Sequence, residues 1–206
     1  MDLNVNKSLD KWLNEVEELT LPDYDRLPDI DLYMEQLLTY LERESNVLVK
    51  NSQDKQITSC MINNYVKGHI IKAPKAKKYN REQLSLLGEL IYLKQVLSLP
   101  EIKQIFDVEY QDEEYKVEYN KYLSINNDSF DEAIKETKNS LKSCKENDFK
   151  DLTDLSLKLA AKANAYATVS KRILYLLNLL KHVNEQNEEI KNKQLDLDSI
   201  LDEEDK

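Results

Sequence analysis

Residues 57–84 read ITSCMINNYVKGHIIKAPKAKKYNREQL, and the fold is decided by how this run is parsed. Thr58 is a residue type that caps helix N-termini, and a helix over 57–67 follows it, with Ile62 and Tyr65 on an apolar side. Gly68 and Pro74 bracket the β-branched pair Ile70-Ile71, so 68–79 cannot be helical throughout. The pattern predicts two short strands joined by a basic turn, a small wing. Asn80 with Gln83 three residues on is a capping box that opens a long helix. Tyr65 and Tyr79 are expected in the core.

Charge sets this run apart. The chain carries −10 overall, yet residues 46–82 hold Lys50, Lys55, Lys67, Lys72, Lys75, Lys77, Lys78 and Arg81 against only Asp54 and Glu82. A basic island in an acidic chain is a local electrostatic footprint, and local charge is what a phosphate backbone meets.

Working outward, the helix after Asn80 has one stripe of Leu84, Leu87 and Ile91 and a second of Leu86, Leu90, Leu93 and Leu97, the pattern of a helix central to its domain. Ser98 caps a further helix with Pro100 in its first turn and Ile102, Ile105 and Phe106 on its inner side. Upstream, 8–19 reads as a short amphipathic helix (Leu9, Trp12, Leu13, Val16). Pro22 and Pro28 break the chain, and 30–43 resumes with Ile30, Tyr33, Leu37 and Leu41 on one face, before a polar stretch from Glu42 to Gln56. Downstream, the acidic run Glu109–Glu118 leads to an expected loop at 124–128, a Ser129 cap and a helix over 130–146. The last long helix keeps an alternating three-and-four seam: Leu152, Leu155, Leu159, Lys162, Tyr166, Val169, Ile173, Leu176, Leu180 and Val183. That is the coiled-coil period, broken only by Lys162. Apolar residues outside the seam favour a bundle, and an acidic tail from Gln194 is expected to fray.

Residues 57–106 resemble the winged helix-turn-helix of the MerR regulators. Ile57-Thr58, Ile62 and Tyr65 occupy positions of that family's recognition helix. Ile70-Ile71 and Pro74 follow at its Leu-Leu and Pro, Lys77-Lys78-Tyr79 at the end of its wing, and Ser98-Leu99-Pro100-Glu101-Ile102 at its last helix. Asn63, Asn64 and His69 stand where that family has Arg, Tyr and Gly. The stretches LPDIDLYMEQLLTYLE (27–42), MINNYVK (61–67) and KKYNREQL (77–84) are more similar still to a bacterial family of unknown function with a MerR-like head. The resemblance implies an all-α protein with a MerR-like winged helix-turn-helix head and small two-stranded wing, followed by a C-terminal helical bundle or coiled-coil region. The expected division is an N-terminal helix and linker (1–26), the head (27–110), a helical pairing region (111–193) and the acidic tail (194–206).

A helix entering the major groove needs short polar side chains on one face, and Ser59, Asn63, Asn64 and Lys67 supply them; Asn can pair with the adenine edge. Lys72, Lys75, Lys77, Lys78 and Arg81 on and after the wing are suited to phosphates. Leu159, Tyr166, Val169, Ile173, Leu176 and Leu180 are the expected helix-packing or dimerisation residues, within one chain or between two. Double-stranded DNA and a second copy of the chain are therefore the expected partners, and a DNA-binding transcriptional regulator the expected function. The alternative is a protein–protein adaptor that keeps the reader fold without DNA binding.

Other classes lack their signatures. There is no Gly-rich phosphate loop, no nucleophile elbow and no His-Glu-x-x-His. With two His and two Cys, no metal or cofactor is expected and enzymatic chemistry is not. Cys60 and Cys144, far apart, are expected as reduced, buried small hydrophobes. No membrane span or leader is seen, which points to the cytoplasm.

Overall fold

The computed structural model describes residues 4–17, 21–49 and 57–204. Among them are seven helices: α1 (Val5–Glu17), α2 (Met34–Val49), α3 (Ser59–Lys67), α4 (Arg81–Leu93), α5 (Leu99–Glu109), α6 (Tyr115–Leu141) and α7 (Phe149–Glu204). Two strands, β1 (Leu32–Tyr33) and β2 (Lys78–Tyr79), pair antiparallel with Leu32 opposite Tyr79. No described helix is long and apolar enough to cross a membrane. Lys50 and Lys55 of the basic island lie outside the described residues.

α4 is central because its sequence is apolar on two sides. Residues 83–92 are all buried, and α4 packs on both α2 and α6. Leu37 and Leu41 of α2, Leu84, Leu87 and Leu90 of α4, and Tyr119 of α6 have almost no exposed surface. Ile62 and Tyr65 of α3 and Ile102 and Phe106 of α5 are buried as well. Burying such side chains stabilises by about 1.5–3 kcal/mol each, which makes this the main source of the head's stability. α1 lies against α6, where Leu13, Val16 and Ile134 form a smaller cluster with Leu9, Trp12 and Phe130 packed on it. The segment from Leu21 to β1, with Pro22 and Pro28, is pinned to α6. Leu21 and Leu27 are buried, the Tyr119 hydroxyl donates to the Pro22 carbonyl at 3.2 Å, and the Tyr24 N–H donates to Asn120 at 3.1 Å.

Several expectations are corrected. Of the two strands expected within 68–79 only the second forms, and β2 pairs with Leu32–Tyr33 far upstream; Ile70-Ile71 form no strand and instead fill the core, at 8% and 1% exposure. β-branched residues suit strands and buried cores alike, and here the branching serves burial. α6 continues through the expected 124–128 loop, and Ser129, read as a cap, bonds back to the Ile125 carbonyl at 2.7 Å. Polar residues on the solvent side of a helix imitate a loop signal. α2 extends to Val49, into the stretch read as a polar interruption, and α7 stays helical past Gln194 to Glu204. Ile30 and Tyr33 are exposed, so only Leu37 and Leu41 of that stripe face the core, and Cys60 is exposed on α3. Cys144 is half-buried, and its thiol donates to the Ser140 carbonyl.

The chain divides into two compact units, Met1–Ala163 and Asn164–Lys206. Within the first, Glu136 of α6 accepts from Lys158 and Lys162 of α7, and the two ammonium groups hold its carboxyl down at about 2. Lys162, the one break in the apolar seam, is thus committed to an ion pair with α6. In the second, Tyr166, Val169, Ile173, Leu176 and Leu180 are all about half exposed or more.

Candidate nucleic-acid interface

α3 is a short helix with both ends specified by side-chain and backbone chemistry. The Thr58 hydroxyl accepts from the Met61 N–H at 3.3 Å, as its residue type predicts. At the other end His69 N–H donates to the Val66 carbonyl and Ile70 N–H to the Tyr65 carbonyl, both at 3.0 Å. That pair of bonds is a Schellman stop, which needs a left-handed residue at its corner. His69 fills the corner at φ 53°, while Gly68 keeps an ordinary negative φ. Gly68, one residue early for the resemblance, is therefore not the residue that turns the chain.

Between these stops α3 is two-faced. Ile62 and Tyr65 are sealed in the core, whereas Ser59, Asn63, Asn64 and Lys67 are exposed. Residues 59, 63 and 67 are four apart and so share one face, with Asn64 beside them. The Asn63 helix is not covered.

After the buried Ile70-Ile71 the backbone is held from inside. Gln83, 6% exposed, accepts the Asn80 N–H at 2.9 Å through its Oε1 and donates its Nε2 to the Lys72 carbonyl at 2.7 Å. One side chain thus completes the α4 capping box and anchors the segment leading into the basic turn. That turn closes when Lys78 N–H donates to the Lys75 carbonyl at 2.9 Å, with Ala76 and Lys77 at φ 49° and 63°. Two consecutive left-handed residues make the tight hairpin geometry that usually takes Asn-Gly. Here neither residue is glycine, so the turn carries strain.

The nine residues singled out from the sequence fall into three sets. Ser59, Asn63, Asn64 and Lys67 form the exposed face of α3. Lys75 and Lys77 sit exposed on the strained turn, and no ion pair involves them among the described residues. The remaining cations are engaged within the chain. Lys78 lies over the Tyr33 ring at 4.9 Å, and Arg81 over Tyr24 at 5.8 Å with its Nε donating to the Pro28 carbonyl at 3.4 Å. Lys72 donates to Glu113 at 2.5 Å and lies 5.8 Å from the centroid of the Tyr115 ring. The Glu113 bond raises the Lys72 pKa, and Lys72 in turn lowers that of Glu113. Glu113 was not foreseen as part of this region. Its only sequence signal was membership of the acidic run 109–118, and a solvated acidic face looks the same.

Residues 22–124, half of the chain, match the model of a family described as a domain of unknown function (DUF1836). The chain belongs to this family. No curated protein and no solved structure matches it. The DUF1836 region takes in β1, α2, α3, the basic turn, β2, α4 and α5 and ends inside α6. Every residue of the candidate interface, Glu113 and Gln83 included, lies within DUF1836, whereas α1 and α7 lie outside it.

Proposed function

We propose that this DUF1836 protein is a non-enzymatic, cytoplasmic DNA-binding regulator with a MerR-like head. It reads duplex DNA with the Ser59, Asn63, Asn64 and Lys67 face of α3 and contacts the flanking backbone with the turn at Lys75 and Lys77. The observation that carries this reading is the exposed amide-bearing face of α3, in a chain whose next turn holds two exposed lysines without ion pairs among the described residues. Asn side chains suit adenine edges, and free ammonium groups suit phosphates. The apolar seam of α7 supplies the self-association such readers use to address two half-sites.

The test is binding of the full chain to a pool of genomic duplex fragments, read by fluorescence anisotropy across a salt series. Binding is expected to weaken steeply with salt and to fall at least tenfold in the Lys75→Glu, Lys77→Glu double variant. Undetectable binding at low salt overturns the reading.

A second reading is favoured by one observation: Glu113 holds Lys72, in a chain of net charge −10. On that reading the protein is an adaptor whose head no longer meets DNA. It predicts that Asn63→Ala changes protein partners and leaves nucleic acid untouched.

A further inference from the structure

We propose that the cavity between the end of α3, α5 and the turn joining α5 to α6 binds a small organic acid with an apolar body, whose carboxylate takes the place that Glu113 holds on Lys72. Binding there requires no DNA and is independent of the reading of α3.

The cavity measures about 530 Å³, within the roughly 300–1,000 Å³ of small-molecule sites. Its floor is apolar. Ile70, Leu86, Phe106 and Tyr110 line it, and all four are buried. Three rings make a continuous wall: Phe106 meets Tyr110 edge to face at 5.6 Å, and Tyr110 stacks on Tyr115 at 5.2 Å between centroids. The Tyr110 hydroxyl donates to the buried Glu89, so its one proton is already committed. Hydrocarbon covers such a floor more favourably than water does, which selects an apolar body.

The rim selects the charge. Lys72 is fixed from behind, because Ile71 beside it is buried and its carbonyl accepts from the buried Gln83 side chain at 2.7 Å. Its ammonium group lies 5.8 Å from the centre of the Tyr115 ring and reaches Glu113. Glu113 is the displaceable partner. It stands on the turn after α5 at φ 60°, in the left-handed region that a glutamate adopts only under strain. The two side chains are 64% and 66% exposed, and an exposed pair of this kind contributes little to stability. The chain thus keeps its own carboxylate on the anchored ammonium group, beside an apolar floor that the glutamate leaves open.

Asp107 also lines the cavity, but both its oxygens are held by Lys103 of its own helix at 2.7 Å. His69, exposed at the same rim, adds a ring N–H. A cationic ligand therefore meets the anchored ammonium group and finds both carboxylates engaged. A carboxylate ligand gains a charge-assisted bond to Lys72 and displaces only the side chain on the strained turn.

The test titrates the full chain, without nucleic acid, with phenylpropanoate, phenylpropanol and phenylpropylamine, which share one body and differ in head group. Calorimetry gives the affinity, and amide shifts in NMR give the place. The acid is expected to bind saturably and to move the amides of 69–72 and 106–115, with the alcohol and the amine weaker by about tenfold or more. Lys72→Gln is expected to lower the affinity for the acid about tenfold, and Glu113→Gln to raise it about threefold because the internal competitor is gone. Lys75→Gln, on the basic turn, is expected to leave it unchanged. Lys72 and Glu113 are both exposed, so neither substitution disturbs the core. The proposal is overturned by absence of saturable binding of the acid at millimolar concentration, by equal binding of the amine or the alcohol, by an affinity indifferent to Lys72→Gln, or by a Glu113→Gln variant that binds no tighter. None of these readouts involves DNA, so failure here leaves the DNA-binding reading standing, and the reverse holds as well.

Discussion

The side-chain amide of Gln83 donates to the main-chain carbonyl of Lys72 at 2.7 Å, tying the first turn of the central helix α4 to the segment that enters the basic turn. Gln83 itself is buried and the bond partly so, and its other end is the capping box. A buried acceptor left without a donor costs about 1–3 kcal/mol. Gln83→Glu keeps the acceptor for the Asn80 N–H but sets a carboxylate against the Lys72 carbonyl. A loss of about 1 kcal/mol in urea unfolding is expected, the low end for a partly buried acceptor.

Glu89 of α4 is 3% exposed and accepts a hydrogen bond from the Tyr110 hydroxyl. Burial pushes its carboxyl up to about 8 from 4.5. Between those values the native chain holds a proton that the unfolded chain has released, so rising pH favours unfolding across that window. Below about 4.5 the effect disappears, because both states are protonated. Glu89→Gln removes the titration and keeps an acceptor for Tyr110. Its melting temperature is expected to stay flat from pH 5 to 8 where the parent's declines.

Gly88 lies inside α4, where a glycine costs about 1 kcal/mol relative to alanine. A Cβ built there meets the Tyr119 hydroxyl at 3.5 Å and Leu21 at 3.9 Å, ordinary van der Waals distances. Gly88→Ala is expected to stabilise the chain by about 0.5–1 kcal/mol in chemical denaturation.

Glu113 withholds Lys72 from phosphate on the DNA-binding reading. Glu113→Gln is expected to tighten binding and to steepen the logarithmic salt dependence by about one. Lys72→Gln in the parent background is expected to change the slope little. Equal slopes for parent and Glu113→Gln show that Lys72 plays no part.

Much of the head was legible because its signals were local. The Thr58 cap, the Asn80–Gln83 box and the two stripes of α4 each depend on residues within a turn or two, and helix chemistry fixes what they do. What failed was non-local. β2 has an antiparallel neighbour, but nothing near residue 78 says that it sits at Leu32. Ile70-Ile71 look the same in a strand and in a core. The ion pairs Lys72–Glu113 and Lys162–Glu136 join residues with no patterned spacing. The exposed residues of the candidate site on α3 were readable as polar positions opposite Ile62 and Tyr65; which lysines are already engaged was not.

The pairing of Leu32 with Tyr79 has a practical consequence for anyone who cuts the gene. The basic turn is held on one side by residues more than forty positions upstream, so a fragment cloned from 57 to 106, the span of the MerR resemblance, discards the strand against which the hairpin is aligned. A usable minimal head has to begin ahead of Leu21, whose side chain closes the core, and to run on into α6 as far as Leu123.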